Sequence, residues 1–309
     1  MRIDVKATAK ELLNMDNIYI LCHRNPDGDT LGSGFGLHYA LKSLGKRSKV
    51  LCSDEFPEKF SYMYDTFTEF EAENIVSVDV ATTELFGSLD YKVNLAIDHH
   101  PTNSLFAEKV CLCPDDAATC EIIYAIIKEM GVKIDEKIAT CLYTGVATDT
   151  GCFKFSNVTP KTHYIAGELI ECGALFKKVN KEIFETKTLS LISLEREVLN
   201  TLSFHSQNRV AMIYVTTEML KKYGVPETEL DAITGIPRQI EGVEMGITIK
   251  QRNENEFKVS ARTSETLDAS QFCQKFGGGG HARASGCSIQ GDLDTVKTKL
   301  IKALEEFLC

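Results

Sequence analysis

Short apolar runs, each ending in a carboxylate or an imidazole, constrain this chain more than any other feature. Residues 17–22 (NIYILC) lead into 23–29 (HRNPDGD), and 75–78 (IVSV) lead into Asp79. A third run, within 92–97, closes on Asp98-His99-His100, and a fourth cluster places Asp149 in 145–151 (GVATDTG). Stretches of helical spacing alternate with such runs through the first ~185 residues, which predicts a mostly parallel sheet flanked by helices.

In that half, strands are expected at 17–22, 48–52, 73–79, 92–98 and, more briefly, 110–113. Helices are expected at 30–44, 116–130, 135–148, 161–172 and 178–185. The helix over 30–44 carries Leu31, Phe35, Leu37, His38 and Leu41 on or near one face, and Gly45 ends it.

A helical stretch over 188–202 has few breakers and reads as a connector. Beyond it the pattern changes to strands at 209–215, 242–251 and 256–261, the last two joined by 252–255 as a hairpin. A helix from about 268, four glycines at 277–280, a strand at 285–289 and an amphipathic helix at 292–308 complete the chain. The expected organisation is α/β in two parts: a first domain over 1–186, a connecting helix over 187–204 and a smaller α/β domain over 205–309.

The chain has 309 residues, 43% apolar and 25% charged, the balance of a soluble globular protein. Its net charge of −10 argues against tight binding of long duplex nucleic acid, which needs a broad basic surface. A short anionic substrate is still compatible, because bound divalent cations reverse the local field. Residues 1–17 lack the apolar segment of a secretory signal, and no stretch approaches the ~20 apolar residues of a membrane span. The 11 cysteines are scattered and contain no CxxC pair, so a cytoplasmic, reducing setting is expected.

In open parallel sheets the ligand crevice lies beyond the carboxyl ends of the strands. Loops after separate strands would therefore bring the cluster at 23–29, Asp79 and the Asp98-His99-His100 triplet together, with Asp149 completing the set. A lone Asp at a strand end is ordinarily a turn or helix cap, and paired histidines are ordinarily solvated. The joint pattern is what points to metal. Oxygen-rich donors with a few imidazoles suit Mn²⁺ or a related ion better than zinc. Six such side chains exceed what one catalytic ion takes and fit two divalent ions ~3.5–4 Å apart, a pair able to activate a bridging water. His38, His163 and His205 lack such companions and read as packing or surface residues.

The glycine run at 277–280 leaves backbone amides open to an anion, with His281 beside it. Arg262, at a strand end, offers a planar fork to a phosphate. A flexible linker and a solvated arginine are the plainer readings of these two features alone.

Together HRNPDGD, Asp79, the Asp98-His99-His100 triplet and GVATDTG resemble the four motifs of the DHH phosphoesterase superfamily. Residues 260–263 (SART) and 276–286 (FGGGGHARASG) look like its DHHA1 substrate domain. The resemblance spans almost the whole chain and is strongest to the stand-alone bacterial nanoRNase type. It implies His23 and Asp27 on one ion, Asp29, His99 and Asp149 on the other, and Asp79 bridging the two. It also implies that Asp98 orients a histidine and that His100 contacts the scissile phosphate or protonates the leaving oxygen. Arg262, Gly278, Gly279, Gly280 and His281 would bind substrate, with the active site in the interdomain cleft.

The implied activity is Mn-dependent hydrolysis of nanoRNA and dinucleotides to nucleoside 5′-monophosphates, with 3′-phosphatase action on 3′-phosphoadenosine 5′-phosphate (pAp). Linear pApA and cyclic di-AMP are the alternative substrates, and a homodimer is compatible with the pattern. A family II pyrophosphatase is disfavoured, since it would carry a Lys/Arg cluster where this chain has GGGGH. A non-catalytic nucleotide-binding protein on the same fold would lack one or more ligands, and none is missing.

Overall fold

The computed structural model describes residues 1–264 and 266–308, and these form two compact units, Met1–Thr186 and Lys187–Cys309. The first unit contains α1 (Val5–Asn14), β1 (Ile18–Leu21), α2 (Gly28–Ser43), β2 (Ser48–Leu51), β3 (Asn74–Val78), β4 (Leu95–Asp98) and β5 (Lys109–Leu112). It continues with α3 (Thr119–Glu129), α4 (Glu136–Asp149), α5 (Pro160–Glu171) and α6 (Phe176–Asn180).

All five strands are parallel, in the order β2-β1-β3-β4-β5. The chain moves from β1 outward to β2 and then returns to the other side of β1 with β3. The loops after β1 and β3 therefore flank the point where strand order reverses, the usual ligand site of such sheets. The sheet is covered on both faces. One face packs Ile18, Ile20, Val76, Val78, Leu95 and Ile97 against helices, and the other packs Leu21, Ala96 and Val110 with Phe86 and Val93. Burial on both faces explains why β3 and β4 read as continuous apolar runs.

Two helical expectations are corrected. The stretch starting at 30 in sequence terms begins at Gly28, because the Asp27 side chain accepts from the amides of Asp29 (3.0 Å) and Thr30 (3.1 Å). Nor is α2 one-faced: every residue from Gly28 to Leu41 is buried. Glycines allow this. A Cβ on Gly32 would stand 2.4 Å from the Cys141 carbonyl oxygen, and one on Gly36 would stand 2.8 Å from Leu142 Cδ2. Both contacts lie on α4, so the two helix backbones approach closely.

The second unit contains α7 (Leu189–Leu199), β6 (Ser203–His205), β7 (Val210–Val215), α8 (Thr217–Tyr223), α9 (Asp231–Thr234), β8 (Met245–Asn253) and β9 (Glu256–Thr263). Then follow α10 (Ala269–Gln274), β10 (Gly279–His281), β11 (Ala284–Gln290) and α11 (Leu293–Leu308). Its sheet runs β10-β11-β9-β8-β7-β6, with β7 and β8 parallel and the other neighbours antiparallel. One core joins Ile247, Val259 and Phe257 to Phe272, Leu300 and Leu304. On a second core, Leu191, Leu194 and Val198 of α7 pack with Ile213 and Val215. The helix expected to connect the domains thus belongs to the packing of the second. Helices α1, α8 and α9 and strand β6 lie outside the elements expected from the sequence. Among the described residues no helix is long and apolar enough to cross a membrane.

Candidate metal centre

The sheet delivers its polar clusters to one end. His23, Asp27 and Asp29 follow β1, Asp79 follows β3, and Asp98 is the last residue of β4, with His99 and His100 after it. Asp149 closes α4. Three groups have donor atoms within 4.8 Å of one another and could hold a metal ion: His23 with Asp27 and Asp79, Asp29 with His99 and Asp149, and Asp79 with His99 and His100. Asp79 and His99 each belong to two groups. All the residues expected as ligands are therefore gathered here.

The imidazoles are oriented by their back nitrogens. Nδ1 of His23 lies 2.9 Å from the Arg24 carbonyl oxygen, and Nδ1 of His99 lies 3.0 Å from that of Asp116. A carbonyl only accepts, so each Nδ1 carries the proton and each Nε2 is left as a donor toward a cation. Those Nε2 atoms face carboxylates: His23 stands 3.5 Å from Asp27 and 3.6 Å from Asp79, and His99 stands 3.6 Å from Asp79 and 3.3 Å from Asp149. His100 differs. Its Nδ1 is 2.8 Å from Asp98 Oδ1, a side-chain carboxylate with no exposure, and the other oxygen of Asp98 accepts from Asn103 Nδ2 at 2.6 Å.

The buried carboxylates are held by backbone as well. Asp79 sits at φ +60°, a left-handed conformation that Asp tolerates better than most residues. Asp29 lies in the first turn of α2, and its oxygens accept from the Thr119 amide (2.7 Å) and the Cys120 amide (3.0 Å) at the start of α3. It therefore meets the positive ends of two helices.

Without cations this arrangement retains protons. Burial, reinforced by the charge of Asp79, lifts Asp29 to about 7. Burial, with Asp29 and Asp79 nearby, lifts Asp149 to about 10. For His23, burial opposes charging, but hydrogen bonds to Asp27 and Asp79 outweigh it and raise the group to about 11. For His100, burial is likewise overcome, chiefly by Asp98, and the group reaches about 9. Carboxylates that hold protons to neutral pH, beside imidazoles whose Nε2 atoms converge on them, are a donor set suited to divalent cations.

In the second unit the glycine run is partly strand. A Cβ on Gly278 would lie 2.3 Å from the Gly286 carbonyl oxygen, and Gly280 has φ +143°, so these glycines serve close strand packing. Gly279, Gly280 and His281 are exposed. Register places His281 opposite Ala284, and Ala284 opposite Arg262, in one row across β10, β11 and β9. An Nη atom of Arg262 lies 3.2 Å from the Ala261 carbonyl oxygen.

Residues 17–146 match the DHH family N-terminal domain, and 207–308 match the DHHA1 domain. The bifunctional oligoribonuclease and PAP phosphatase NrnA of Thermus thermophilus is 32% identical, over 94% of this chain and 90% of that one. The chain belongs to the DHH family. The Bacillus subtilis protein of the same description is 28% identical over 90% of this DHH chain and 92% of its own. An exopolyphosphatase-related protein of Bacteroides fragilis has the same fold, with a TM-score of 0.89 at 25% identity, covering 98% of this chain and 96% of that one. As a DHH-family member, the chain is a phosphoester hydrolase.

Three features of the DHH unit escape sequence reasoning. The Asp116 carbonyl orients His99, Asn103 bridges Asp98 Oδ2 and the Val80 carbonyl, and Thr119 touches two carboxylates. Only Asn103 left a trace, as an amide soon after the histidine pair. A backbone carbonyl leaves none.

Proposed function

We propose that this enzyme hydrolyses very short oligonucleotides, nanoRNA and dinucleotides, to nucleoside 5′-monophosphates, and that it also removes the 3′-phosphate of pAp. The observation that carries this reading is the position of Asp79, one oxygen toward His23 (3.6 Å) and the other toward His99 (3.6 Å). A carboxylate facing both ways is suited to bridging two cations. His23 and Asp27 would complete one Mn²⁺ site, and Asp29, His99 and Asp149 the other. The four carboxylates among these six ligands carry the charge that two divalent ions neutralise. When bound, such ions supply an activated water and positive charge for the phosphoryl oxygens.

The chain's own residues do the rest. Asp98 holds Nδ1 of His100, which leaves Nε2 as the nitrogen that donates a proton to the leaving oxygen. With cations bound at the candidate ligands, the Asp98 hydrogen bond would still favour the charged imidazole. Arg262, Gly278, Gly279, Gly280 and His281 contact the nucleotide, the guanidinium taking a phosphate. The oligoribonuclease and PAP phosphatase activities of the Thermus and Bacillus relatives support this substrate class.

The decisive experiment is hydrolysis of pAp, pApA, cyclic di-AMP, a short RNA and pyrophosphate side by side with Mn²⁺. Turnover of the short RNA and pAp is expected. Turnover confined to cyclic di-AMP or pApA would replace this reading with a cyclic-dinucleotide pathway enzyme, and turnover of pyrophosphate alone would replace it with a pyrophosphatase.

A further inference from the structure

Thr119 is fully buried at the first turn of α3 and joins two carboxylates that arrive from different elements. Its Oγ1 donates to Asp79 Oδ1 at 3.0 Å, and its amide donates to Asp29 Oδ2 at 2.7 Å. Helix α3 has no side-chain cap of its own at Ala118, so Asp29, brought in by α2, occupies the amides of Thr119 and Cys120. The hydroxyl has a separate effect. A carboxylate is free to rotate about its Cα–Cβ and Cβ–Cγ bonds unless one oxygen is fixed. With Oδ1 held by Thr119, Oδ1 stays beside His99 while Oδ2 stays beside His23.

We propose that Thr119 is a positioning residue whose hydroxyl sets the orientation in which Asp79 presents one oxygen to each half of the centre. This rests on the two-ion reading above. Thr119 is fully buried, and its effect passes through Asp79. The residue type fits the task. A threonine in the first turn of a helix keeps its amide for Asp29 while its hydroxyl reaches a second acceptor. Valine has the same shape without the donor, and serine has the donor without the methyl.

The test is Thr119→Val beside Thr119→Ser in the full-length protein, with Mn²⁺ binding measured by calorimetry and steady-state kinetics on a short RNA. Thr119→Val is expected to weaken Mn²⁺ binding roughly 10–100-fold, the range for partners that orient metal ligands. At saturating Mn²⁺ its kcat should fall while KM for the RNA holds. Thr119→Ser is expected to stay within about threefold of wild type in both measurements, on the same scale. Should Thr119→Val fail to fold by circular dichroism, Thr119→Ala against Thr119→Ser makes the same comparison. Equal Mn²⁺ affinity in the hydroxyl and non-hydroxyl variants would overturn the proposal. Failure of the two-ion reading shows separately, as a single bound ion in the wild-type titration.

Discussion

Gly145 of α4 lies against Asp29 of α2 so closely that a Cβ on Gly145 would stand 2.6 Å from Asp29 Oδ1 and 2.2 Å from Cys120 Sγ. The absence of a side chain at one position thus makes room for a carboxylate buried 116 residues earlier in the chain. Gly145→Ala must push Asp29 or α3 aside. The expected cost is about 1–3 kcal/mol, typical of overpacking, seen as a lower midpoint in thermal or urea unfolding. Because the displaced atom is a candidate ligand, Mn²⁺ affinity should fall as well. Unchanged stability and unchanged affinity together would contradict this packing.

Asp79→Asn tests the shared ligand better than alanine does, since Asn tolerates the φ of +60° and still accepts from Thr119. The variant should fold normally, lose high-affinity binding of the second ion and lose nearly all turnover. Near-normal activity would sink the two-ion proposal.

His100→Asn removes the proposed proton donor and leaves the six candidate ligands in place. A loss of kcat on the order of 10²–10⁴ is expected, with Mn²⁺ binding preserved by calorimetry. A substrate with a more acidic leaving group should recover much of that loss. If it does not, His100 has another role.

Removing cations should make stability fall with rising pH. Asp29 and Asp149 hold protons well above the usual carboxylate range, to about 7 and about 10. His23 and His100 remain charged to about 11 and about 9. All four bind more protons folded than unfolded between about pH 5 and 8, so each rise in pH favours the unfolded state. Asp27 and Asp98, held below the usual range by their histidine partners against the opposing effect of burial, act only in acid. His38, lowered by burial, opposes the trend only up to its unfolded value. Thermal melts in chelator should therefore drop across this window, and added Mn²⁺ should reverse the drop. A melting point that climbs with pH in chelator would contradict the linkage.

Arg262→Ala should weaken binding of short substrates by roughly 1.5–3 kcal/mol, the scale of a charged hydrogen bond, with Mn²⁺ affinity unchanged. KM values across pAp and di- to pentanucleotides measure this. A KM equal to wild type for all of them would remove Arg262 from the substrate site.

Much of this centre is legible along the chain because strand-end chemistry is local. Apolar runs fixed β1, β3 and β4, and the residues after each run had to emerge at the carboxyl end of the sheet. Helix α2 starts two residues ahead of its apolar pattern because the Asp27 cap lies in a turn-rich stretch. The strand at Gly279 and Gly280 has no local signature, because glycine carries no strand signal and the pairing with β11 comes from elsewhere in the chain.

By itself the sequence determined which side chains the candidate site gathers, since alternating strands and helices deliver their terminal loops to one edge. Tertiary structure alone decided how those side chains are used. The bonds that orient Asp29 span 90 and 91 residues, and the bond that turns Asp79 spans 40. Which nitrogen of His99 is free, which oxygen of Asp79 faces which histidine, and why Gly145 must lack a side chain all depend on contacts between distant segments. No local pattern encodes such contacts, because they exist only once the helices have packed.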